Sequence, residues 1–406
     1  MVRLSARSEL AWFAAVVVIA VCLCPAAHAV PNYTVLHNFT GSDGVGPFSG
    51  VIVGQNGNLY GTTVGGGAGG CCGTAFELTQ QRDGRWTESV LHTFENNDRD
   101  GDAPYGSLIF DAAGNLYGTT SSGGTHFKGV VFELTHTAGN WNETVLYDFC
   151  SRQNCNDGGS ATAGLVMDQA GNLYGTAQAV FKLSHGSDGW KETVLHHFTR
   201  RRDGGGGESG LIFDASGNLY GVAEGGGDCS SCGVVFEVMP TSGGGWKEVV
   251  LHRFDNNGKD GYTPGGGALM MDGSGSIYGT TETGGCCGGT VFKLTPGSDG
   301  HWTETILYNF KPGANGSFPT AVVMDKARNL YGTTADGGTS SCQCGVVYKL
   351  APGANGKWTY TVLHRFSGID GAIPTGNLIL DDKGNLYGGT VLGGPVNDGV
   401  VFEITP

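Results

Sequence analysis

The chain repeats one pattern of apolar and polar positions seven times. Each copy begins with a short apolar run, continues through an Asp-x-x-Gly turn, and enters a segment such as Leu116-Tyr117-Gly118-Thr119-Thr120. The tyrosine of this segment recurs at steps of 57, 57, 46, 58, 53 and 56 residues, as Tyr60, Tyr117, Tyr174, Tyr220, Tyr278, Tyr331 and Tyr387. A period near 50 residues is typical of a stacked or circular array of similar units.

Each repeat predicts four β-strands. The first run, Leu108-Ile109-Phe110, has no alternation and suits a strand that is covered on both faces. The Asp and Gly that follow it favour a tight turn, so the first two strands form a hairpin. A Gly-rich loop leads to the third strand, Val130 to Leu134, and the fourth strand starts at a tryptophan, as in Trp86 to His92.

Four strands in seven copies, with no helical period, predict an all-β fold, a seven-bladed β-propeller with four antiparallel strands in each blade. The apolar first strand would line the central channel, and the tryptophan strand would be outermost. The chain starts with a lone fourth strand, Tyr33 to Phe39, and finishes on a third strand, Val400 to Ile404. Pairing these two would close the ring and cover an open edge.

Residues 1–29 are predicted to be a signal peptide. Arg3 and Arg7 precede an apolar run from Leu10 to Cys24, and Ala27-His28-Ala29 is a small-x-small cleavage pattern. The run is short for a membrane span, and no later apolar stretch reaches about 18 residues, so the mature chain is expected to have no membrane span. We therefore expect cleavage near Ala29, secretion to the periplasm or the medium, and one domain over residues 30–406. A retained N-terminal anchor is the alternative.

Charge and cysteine content narrow the function classes. The formal net charge is −14, and removal of the predicted signal peptide takes away a net +1, leaving −15. An acidic chain without a basic face is a poor candidate for binding nucleic acid or anionic membranes. Ten cysteines remain in five local pairs, and in an exported protein they predict disulfides: Cys71 and Cys72, Cys150 and Cys155, Cys229 and Cys232, Cys286 and Cys287, Cys342 and Cys344.

The sequence does not determine which of these cysteines bond to each other. Adjacent cysteines are expected to be strained if they bond to each other, so the six cysteines of blades four, five and six have bridges between loops as an alternative. The Cys229-x-x-Cys232 spacing also fits half of a zinc site or a redox pair. No second half-site follows at regular spacing, which favours a structural disulfide.

The composite of Gly-Leu-Ile-x-Asp, Gly-Asn-Leu-Tyr-Gly-Thr-Thr, Gly-Val-Val-Phe-Glu-Leu and Trp-Thr-Glu-Thr-Val-Leu-His-x-Phe resembles the GloVer tandem repeat of exported bacterial proteins with variable anchors. The resemblance covers about residues 31–406. It implies export and a propeller-like array, but no established activity and no catalytic residues. The Asp-x-x-Gly-Asn-Leu-Tyr segment is also similar to NHL-type and lactonase-type propellers, and the Tyr, Gly-Gly and Trp order is similar to kelch repeats. These weaker similarities bear on the fold alone.

Residues present in most blades are interpreted as structural. The histidines of strand four share one position, which Tyr147 and Tyr308 occupy in two blades, and a ligand or catalytic base would not tolerate that exchange: His37, His92, His196, His252 and His364. The repeated Trp and Tyr likewise predict packing between blades. Function is therefore expected where the repeat pattern breaks.

Three departures from the pattern predict a pocket for an acidic ligand. Arg200, Arg201, Arg202 and Asp203 precede four glycines and Glu208 in one loop. Guanidinium groups suit carboxylates and sulfates. The adjacent loop of blade three is shortened to Ala177-Gln178-Ala179, and His126 and Lys128 lie in a loop of blade two, across the expected notch. A solvated loop without a ligand is the alternative interpretation of the arginines.

No metal or cofactor is expected. The segment Asn96-x-Asp98-x-Asp100-Gly101 resembles the start of a calcium loop, but Ser107 stands where that loop needs Glu. The sequence has no nucleophile elbow, phosphate loop or His-Glu-x-x-His motif.

The favoured hypothesis is a secreted, monomeric binding module for carbohydrate or another acidic extracellular ligand, or for a protein partner. The alternative is an enzyme of the lyase, lactonase or glycosidase kind with its site at the channel mouth, which leaves enzymatic activity undecided. A structural role at the cell surface is a third option. Two or more acidic or His side chains that converge at the mouth outside the seven-fold pattern would favour the enzyme.

Overall fold

The computed structural model describes residues 31–95, 97–229, 231–265, 267–339 and 341–405, without the side chains of residues 206–208. The predicted seven-bladed β-propeller is confirmed: seven small antiparallel sheets follow one another along the chain. We name the strands of a blade a to d from the channel outward. The predicted signal peptide lies outside the described residues.

The strands fall into blades as the repeat predicts. In the order a, b, c and d they are Val51–Val53, Leu59–Thr63, Thr74–Gln80 and Trp86–Thr93 in blade 1; Ile109–Phe110, Leu116–Thr119, Val130–Thr137 and Asn140–Asp148 in blade 2; Val166–Met167, Leu173–Thr176, Ala179–Gly186 and Gly189–His197 in blade 3; Ile212–Phe213, Leu219–Gly225, Val234–Pro240 and Trp246–Arg253 in blade 4; Met270–Met271, Ile277–Gly284, Thr290–Pro296 and Trp302–Asn309 in blade 5; Ser317–Met324, Leu330–Asp336, Val346–Pro352 and Trp358–Arg365 in blade 6; and Ile379–Leu380, Leu386–Thr390, Val400–Thr405 and Asn32–Asn38 in blade 7.

A few short elements decorate the blades. Gly205–Glu208 and Gly261–Pro264 pair with the far ends of strand b in blades 4 and 5, and Gly101–Asp102 pairs with Ser122–Gly123. Two 3₁₀ turns occur, at Gln153–Cys155 and Ala354–Gly356. No helix in the described part of the chain is long and apolar enough to cross a membrane.

The two ends of the described chain close the ring. Strand Asn32–Asn38 pairs antiparallel with Val400–Thr405, with Tyr33 opposite Ile404 and Val35 opposite Phe402. The predicted closure is therefore confirmed, and the last blade draws three strands from one end of the chain and its outermost strand from the other.

Aromatic rings join each blade to the next. A phenylalanine that follows strand d meets the strand c aromatic ring of the following blade edge to face, as the buried Phe94 meets Phe132 at 5.1 Å between ring centroids. Such pairs occur at all seven junctions: Phe39–Phe76, Phe94–Phe132, Phe149–Phe181, Phe198–Phe236, Phe254–Phe292, Phe310–Tyr348 and Phe366–Phe402. Edge-to-face pairs of this kind add about 0.5–1.5 kcal/mol to the burial of their surface.

The glycine of the Leu-Tyr-Gly motif is required by this ring. A Cβ added at Gly118 would lie 2.4 Å from Cζ of Phe132 and 3.0 Å from Leu108, so the ring occupies the space of the missing side chain. The tyrosine beside it packs on the strand d tryptophan of the next blade, as in Tyr60–Trp141 and Tyr174–Trp246. The interpretation of the repeated Tyr and Trp as packing between blades is confirmed.

The Asp-x-x-Gly-Asn-Leu-Tyr signature is one hydrogen-bond network. In blade 2 one carboxylate oxygen of Asp111 accepts the backbone N–H groups of Ala113 and Asn115, at 2.8 and 2.9 Å. The other oxygen accepts the side-chain amide of Asn115 at 2.9 Å and lies 3.3 Å from the hydroxyl of Tyr117. The network fixes the a–b hairpin and orients the tyrosine, which explains why the motif recurs.

Four of the five local cysteine pairs are disulfides: Cys71–Cys72, Cys150–Cys155, Cys229–Cys232 and Cys342–Cys344. The prediction for the fifth pair is wrong in this structure, because Cys286 and Cys287 are exposed and unbonded. The thiol of Cys286 instead faces the carbonyl oxygen of Phe310 at 3.4 Å. The alternative of bridges between loops is not found, and adjacent cysteines do bond at Cys71–Cys72.

Each strand d histidine faces an aspartate and, across the junction, a residue of the next blade. His92 Nε2 lies 3.1 Å from Oδ2 of Asp100, and Glu143 of blade 2 lies beside this pair. Burial and, to a smaller extent, the charge of Asp100 raise the pKa of the Glu143 carboxyl to about 7, against the opposing effect of His92. The same burial raises the pKa to about 7 for the equivalent carboxyls, Glu88, Glu192, Glu248 and Glu304.

Deletion of residues 31–39 should lower the melting temperature and promote aggregation, because it exposes the edge of Val400–Thr405 and removes the ring that packs on Phe76. Thermal denaturation followed by circular dichroism measures the effect. A synthetic peptide of residues 31–39, added to the truncated protein, should restore the lost stability. A truncated protein with the melting temperature of the full chain would contradict the closure.

Replacement of Glu143 by Gln should flatten the pH dependence of stability. The folded-state pKa of Glu143 lies above its ordinary value, so the folded protein binds more protons than the unfolded chain between the two. Its contribution is present at low pH and is lost as pH rises through about 7. Urea denaturation across that range tests this. Glu95→Gln, a change at an exposed carboxyl, should keep the wild-type slope, and an unchanged slope in Glu143→Gln would refute the assignment.

Candidate functional site at the channel mouth

A cavity of about 410 Å³ opens where the connections from strand d to strand a reach the axis of the propeller. Six blades contribute to its lining, so it occupies the mouth of the channel rather than one junction. Its polar positions include Ser107, Thr162, Ser209, Thr375 and Asn377. The volume lies within the range of about 300–1,000 Å³ that small-molecule sites occupy.

Hydroxyl groups of strand b hold the mouth together across blade boundaries. The first threonine of the Gly-Thr-Thr motif donates to a mouth carbonyl of a following blade: Thr62 to Pro104 at 3.1 Å, Thr119 to Ala163 at 2.8 Å, Thr176 to Ser209 at 3.2 Å and Thr280 to Thr320 at 3.0 Å. These bonds are buried, so they fix the mouth backbone before any ligand arrives.

Two carboxyl groups, Glu224 and Glu282, line the mouth outside the seven-fold pattern. They directly follow the Gly-Val-Ala of blade 4 and the Gly-Thr-Thr of blade 5, and the other blades have uncharged residues at this position: Val64, Ser121, Gln178, Ala335 and Val391. Burial raises the pKa of both carboxyls, and the charge of Glu224 raises that of Glu282 further. The two groups are therefore electrostatically coupled.

A glycine makes room for one of these carboxyls. A Cβ added at Gly265 would lie 2.9 Å from Oε1 of Glu224 and 3.3 Å from its Cγ, so a side chain at this position would displace the Glu224 side chain. The site is thus built from two neighbouring blades.

The mouth also has an apolar part, formed by two aromatic side chains. Phe48 and Tyr105 line the cavity and meet edge to face at 5.0 Å. None of the described residues that line the cavity is basic. Two coupled carboxyls without a cation repel an acidic ligand and accept hydrogen bonds from hydroxyl or ammonium groups.

The arginine loop that the sequence singled out lies elsewhere and binds its own neighbours. Arg202 pairs with Asp228 at 2.9 Å and its side chain is 77% exposed. The carboxylate of Asp203 accepts the backbone N–H of Thr199 at 2.8 Å and its hydroxyl at 2.6 Å. Arg200 and Arg201 are exposed. Glu208 pairs through its backbone with Ala223, and its side chain lies outside the described part.

The second part of the predicted acidic-ligand pocket is likewise separate. His126 Nδ1 lies 3.5 Å from Asp148, and the carbonyl oxygen of Lys128 accepts the N–H of Ser160 at 2.6 Å. No hydrogen bond or ion pair between described residues joins this loop to the arginine loop, and neither loop lines the mouth. The pocket for an acidic ligand stays a prediction.

The suggested calcium loop is turn chemistry in its described part. The Asp100 carboxylate accepts the N–H groups of Glu95 and Gly101, at 3.0 and 2.7 Å, and faces His92. Asn96, the first position of that loop, is not among the described residues.

Glu224 and Glu282 were not among the residues predicted from the sequence. They directly follow the repeat motif, at the position where the sequence places the start of the loop between strands b and c. When the seven copies are aligned, only two of them carry a carboxyl at this position. This difference is the signal that could have identified the two residues.

Two solved structures with a similar fold are extracellular domains. The extracellular domain of a protein described as a hybrid two-component system of B. thetaiotaomicron aligns with a TM-score of 0.56 at 15% identity, over 93% of this chain and 41% of that one. The extracellular domain of a protein described as a one-component system of the same organism gives 0.56 at 12% identity, over 91% and 40%. The chain thus spans about two fifths of these proteins, and the likeness concerns the fold alone.

Comparison with curated proteins found no match. The family model of the Gloeobacter/Verrucomicrobia repeat, by contrast, matches residues 25–187 and 249–406. These two stretches contain six of the seven tyrosine motifs and Glu282, whereas Glu224 lies between them. The chain belongs to the Gloeobacter/Verrucomicrobia repeat family.

Proposed function

We propose that this protein is an exported binding module that holds a neutral carbohydrate at the mouth of its channel. The observation that carries the proposal is the convergence of Glu224 and Glu282, outside the repeat pattern, in a preformed cavity of about 410 Å³. Carboxylate oxygens accept hydrogen bonds from sugar hydroxyls, and charge-assisted bonds of this kind are about twice as strong as neutral ones.

The rest of the lining suits the same ligand. Tyr105 and Phe48 offer apolar ring surface, while the hydroxyl and amide groups of Ser107, Thr162 and Asn377 supply donors and acceptors. Binding sites of this type combine aromatic surface with a few placed polar groups. An acidic sugar would meet two carboxyl groups and no cation, so the mouth favours neutral glycans over the acidic ligand that the arginine loop suggested.

Export is supported by the cysteines. Four disulfides fit an oxidising compartment. The predicted signal peptide at residues 1–29 accounts for delivery to that compartment, and cleavage near Ala29 would leave the ring intact.

A second function, glycoside hydrolysis, is favoured by the same observation, because two acidic side chains that converge at the mouth outside the seven-fold pattern are the feature expected of an enzyme. Glycosidases use two carboxyl groups in different protonation states, one as acid and one as base or nucleophile. Burial and the neighbouring Glu224 both raise the pKa of Glu282, which suits Glu282 to the acid role and Glu224 to the other.

Substitution of either mouth carboxyl should weaken glycan binding. Glu224→Gln and Glu282→Gln should each weaken binding of neutral oligosaccharides by about 10-fold or more, because a hydrogen bond to a charged group contributes about 1.5–3 kcal/mol. A glycan array with neutral and acidic sugars, followed by calorimetry of the hits, measures this.

The matched control is a triple variant, with Arg200, Arg201 and Arg202 changed to Ala, which should bind neutral glycans as the wild type does. Binding of acidic glycans that is lost in the triple variant and kept in both Glu variants would refute the mouth and support the arginine loop. Release of free sugar from the bound glycan, lost in Glu282→Gln, would establish hydrolysis; binding without release would leave a binding module.

A further inference from the structure

Three metal-binding side chains from two blades converge at the outer edge of the propeller. His252 lies on strand d of blade 4, Asp260 lies in the connection that follows it, and Glu304 lies on strand d of blade 5. One donor atom from each lies within 4.8 Å of the other two. His252 Nε2 is 3.4 Å from Oδ2 of Asp260 and 3.8 Å from Oε1 of Glu304.

One atom of each side chain lacks a hydrogen bond, although Oδ2 of Asp260 accepts the backbone N–H of Asp255 at 3.0 Å. His252 Nε2, Asp260 Oδ1 and Glu304 Oε1 are buried atoms without a hydrogen bond in the described part of the chain. The side chains are 19%, 11% and 16% exposed. An unsatisfied buried polar group costs about 1–3 kcal/mol, so three of them at one junction indicate that a common partner completes the cluster.

The spacing suits a metal ion better than a direct hydrogen bond. Zinc binds His nitrogen and carboxylate oxygen at about 2.0–2.2 Å in a tetrahedral arrangement, which places the ligand atoms roughly 3.4 Å apart. The 3.4 Å and 3.8 Å separations are close to this edge and are too long for good hydrogen bonds. By comparison, His364 and Asp370 approach to 3.0 Å at the junction of blades 6 and 7.

Charge points the same way. The cluster holds two carboxyl groups, and no lysine or arginine forms an ion pair with either of them in the described residues. A dication would supply the positive charge that the cluster lacks. Calcium prefers oxygen ligands alone, whereas an imidazole beside two carboxylates suits zinc and its neighbours among the transition metals.

We propose that the junction of blades 4 and 5 binds a zinc ion through His252, Asp260 and Glu304, with a water molecule as the fourth ligand. The ion links the outermost strands of two blades, at a place distinct from the channel mouth. The proposal is independent of any ligand at the mouth.

The same positions are filled differently at other junctions, although Glu88, Glu143 and Glu248 there also keep a carboxylate oxygen without a hydrogen bond. At blades 6 and 7 Tyr33 replaces the glutamate, stacks on His364 at 3.7 Å, and donates its hydroxyl to the carbonyl oxygen of Asp370. At blades 2 and 3 Tyr147 replaces the histidine, and Arg152 pairs with Glu192 at 2.7 Å. The junction of blades 7 and 1 has the same three residue types, His37, Asp43 and Glu88, but with a direct bond of 3.0 Å between His37 and Asp43.

The test is zinc titration of tag-free, chelator-treated protein by calorimetry, together with thermal denaturation. Zinc at 100-fold its dissociation constant should raise the melting temperature of the wild type by about 3 °C or more. Glu304→Gln should bind one zinc equivalent fewer and lose this rise. His364→Gln, at the junction with Tyr33, should bind as many equivalents as the wild type.

A second variant covers the case in which Glu304→Gln fails to fold. His252→Tyr introduces the residue that two other junctions carry at this position, so it should keep the fold and lose the same zinc equivalent. The proposal is overturned if the wild type binds no zinc, or if Glu304→Gln or His252→Tyr, once folded, binds as many equivalents as the wild type.

Discussion

The contact between a strand b glycine and the aromatic ring of strand c is the constraint on which the propeller depends. The ring of Phe132 fills the space above Gly118 and extends to Phe94 of the preceding blade. One side chain therefore sets the spacing within a blade and the packing between blades. Because the interior is close-packed, neither distance can change alone, and seven copies of the same contact give seven similar junctions.

Above this uniform core, the polar groups divide into shared and unique ones. The shared threonines, such as Thr119, donate their hydroxyls to backbone carbonyls of following blades, and these bonds make the mouth rigid. The unique carboxyls, Glu224 and Glu282, project into it. A site on a rigid scaffold keeps its geometry in the absence of ligand, which limits the entropy lost on binding. The repeat supplies the frame, and two substitutions within it supply the chemistry.

The strands, their order and the closure could be predicted from the sequence, because each rests on a local pattern that occurs seven times. The two exceptional carboxyls are visible when the copies are aligned, but the contacts at the mouth and at the junctions are not, because they depend on which residues of different blades meet. Glu282 and Glu224 are 58 residues apart, and the neighbour that raises the pKa of Glu282 becomes visible only in three dimensions. The three adjacent arginines were predicted to bind a ligand because they form a run of positive charge, but Arg202 forms an ion pair with Asp228. The histidines were interpreted as packing residues because they recur. That interpretation does not consider the other residues at each junction, which differ from blade to blade.

The closing strand has a consequence for the order in which the protein folds. Asn32–Asn38 is synthesised first among the described residues, but its partner Val400–Thr405 is synthesised last. Blades 1 to 6 can form in order as the chain emerges, whereas blade 7 stays incomplete until both of its parts are present. Such long-range pairing is entropically expensive and slow to form. The pairing that completes blade 7 is therefore the last step in closing the ring, and it waits until both ends of the described chain have been synthesised.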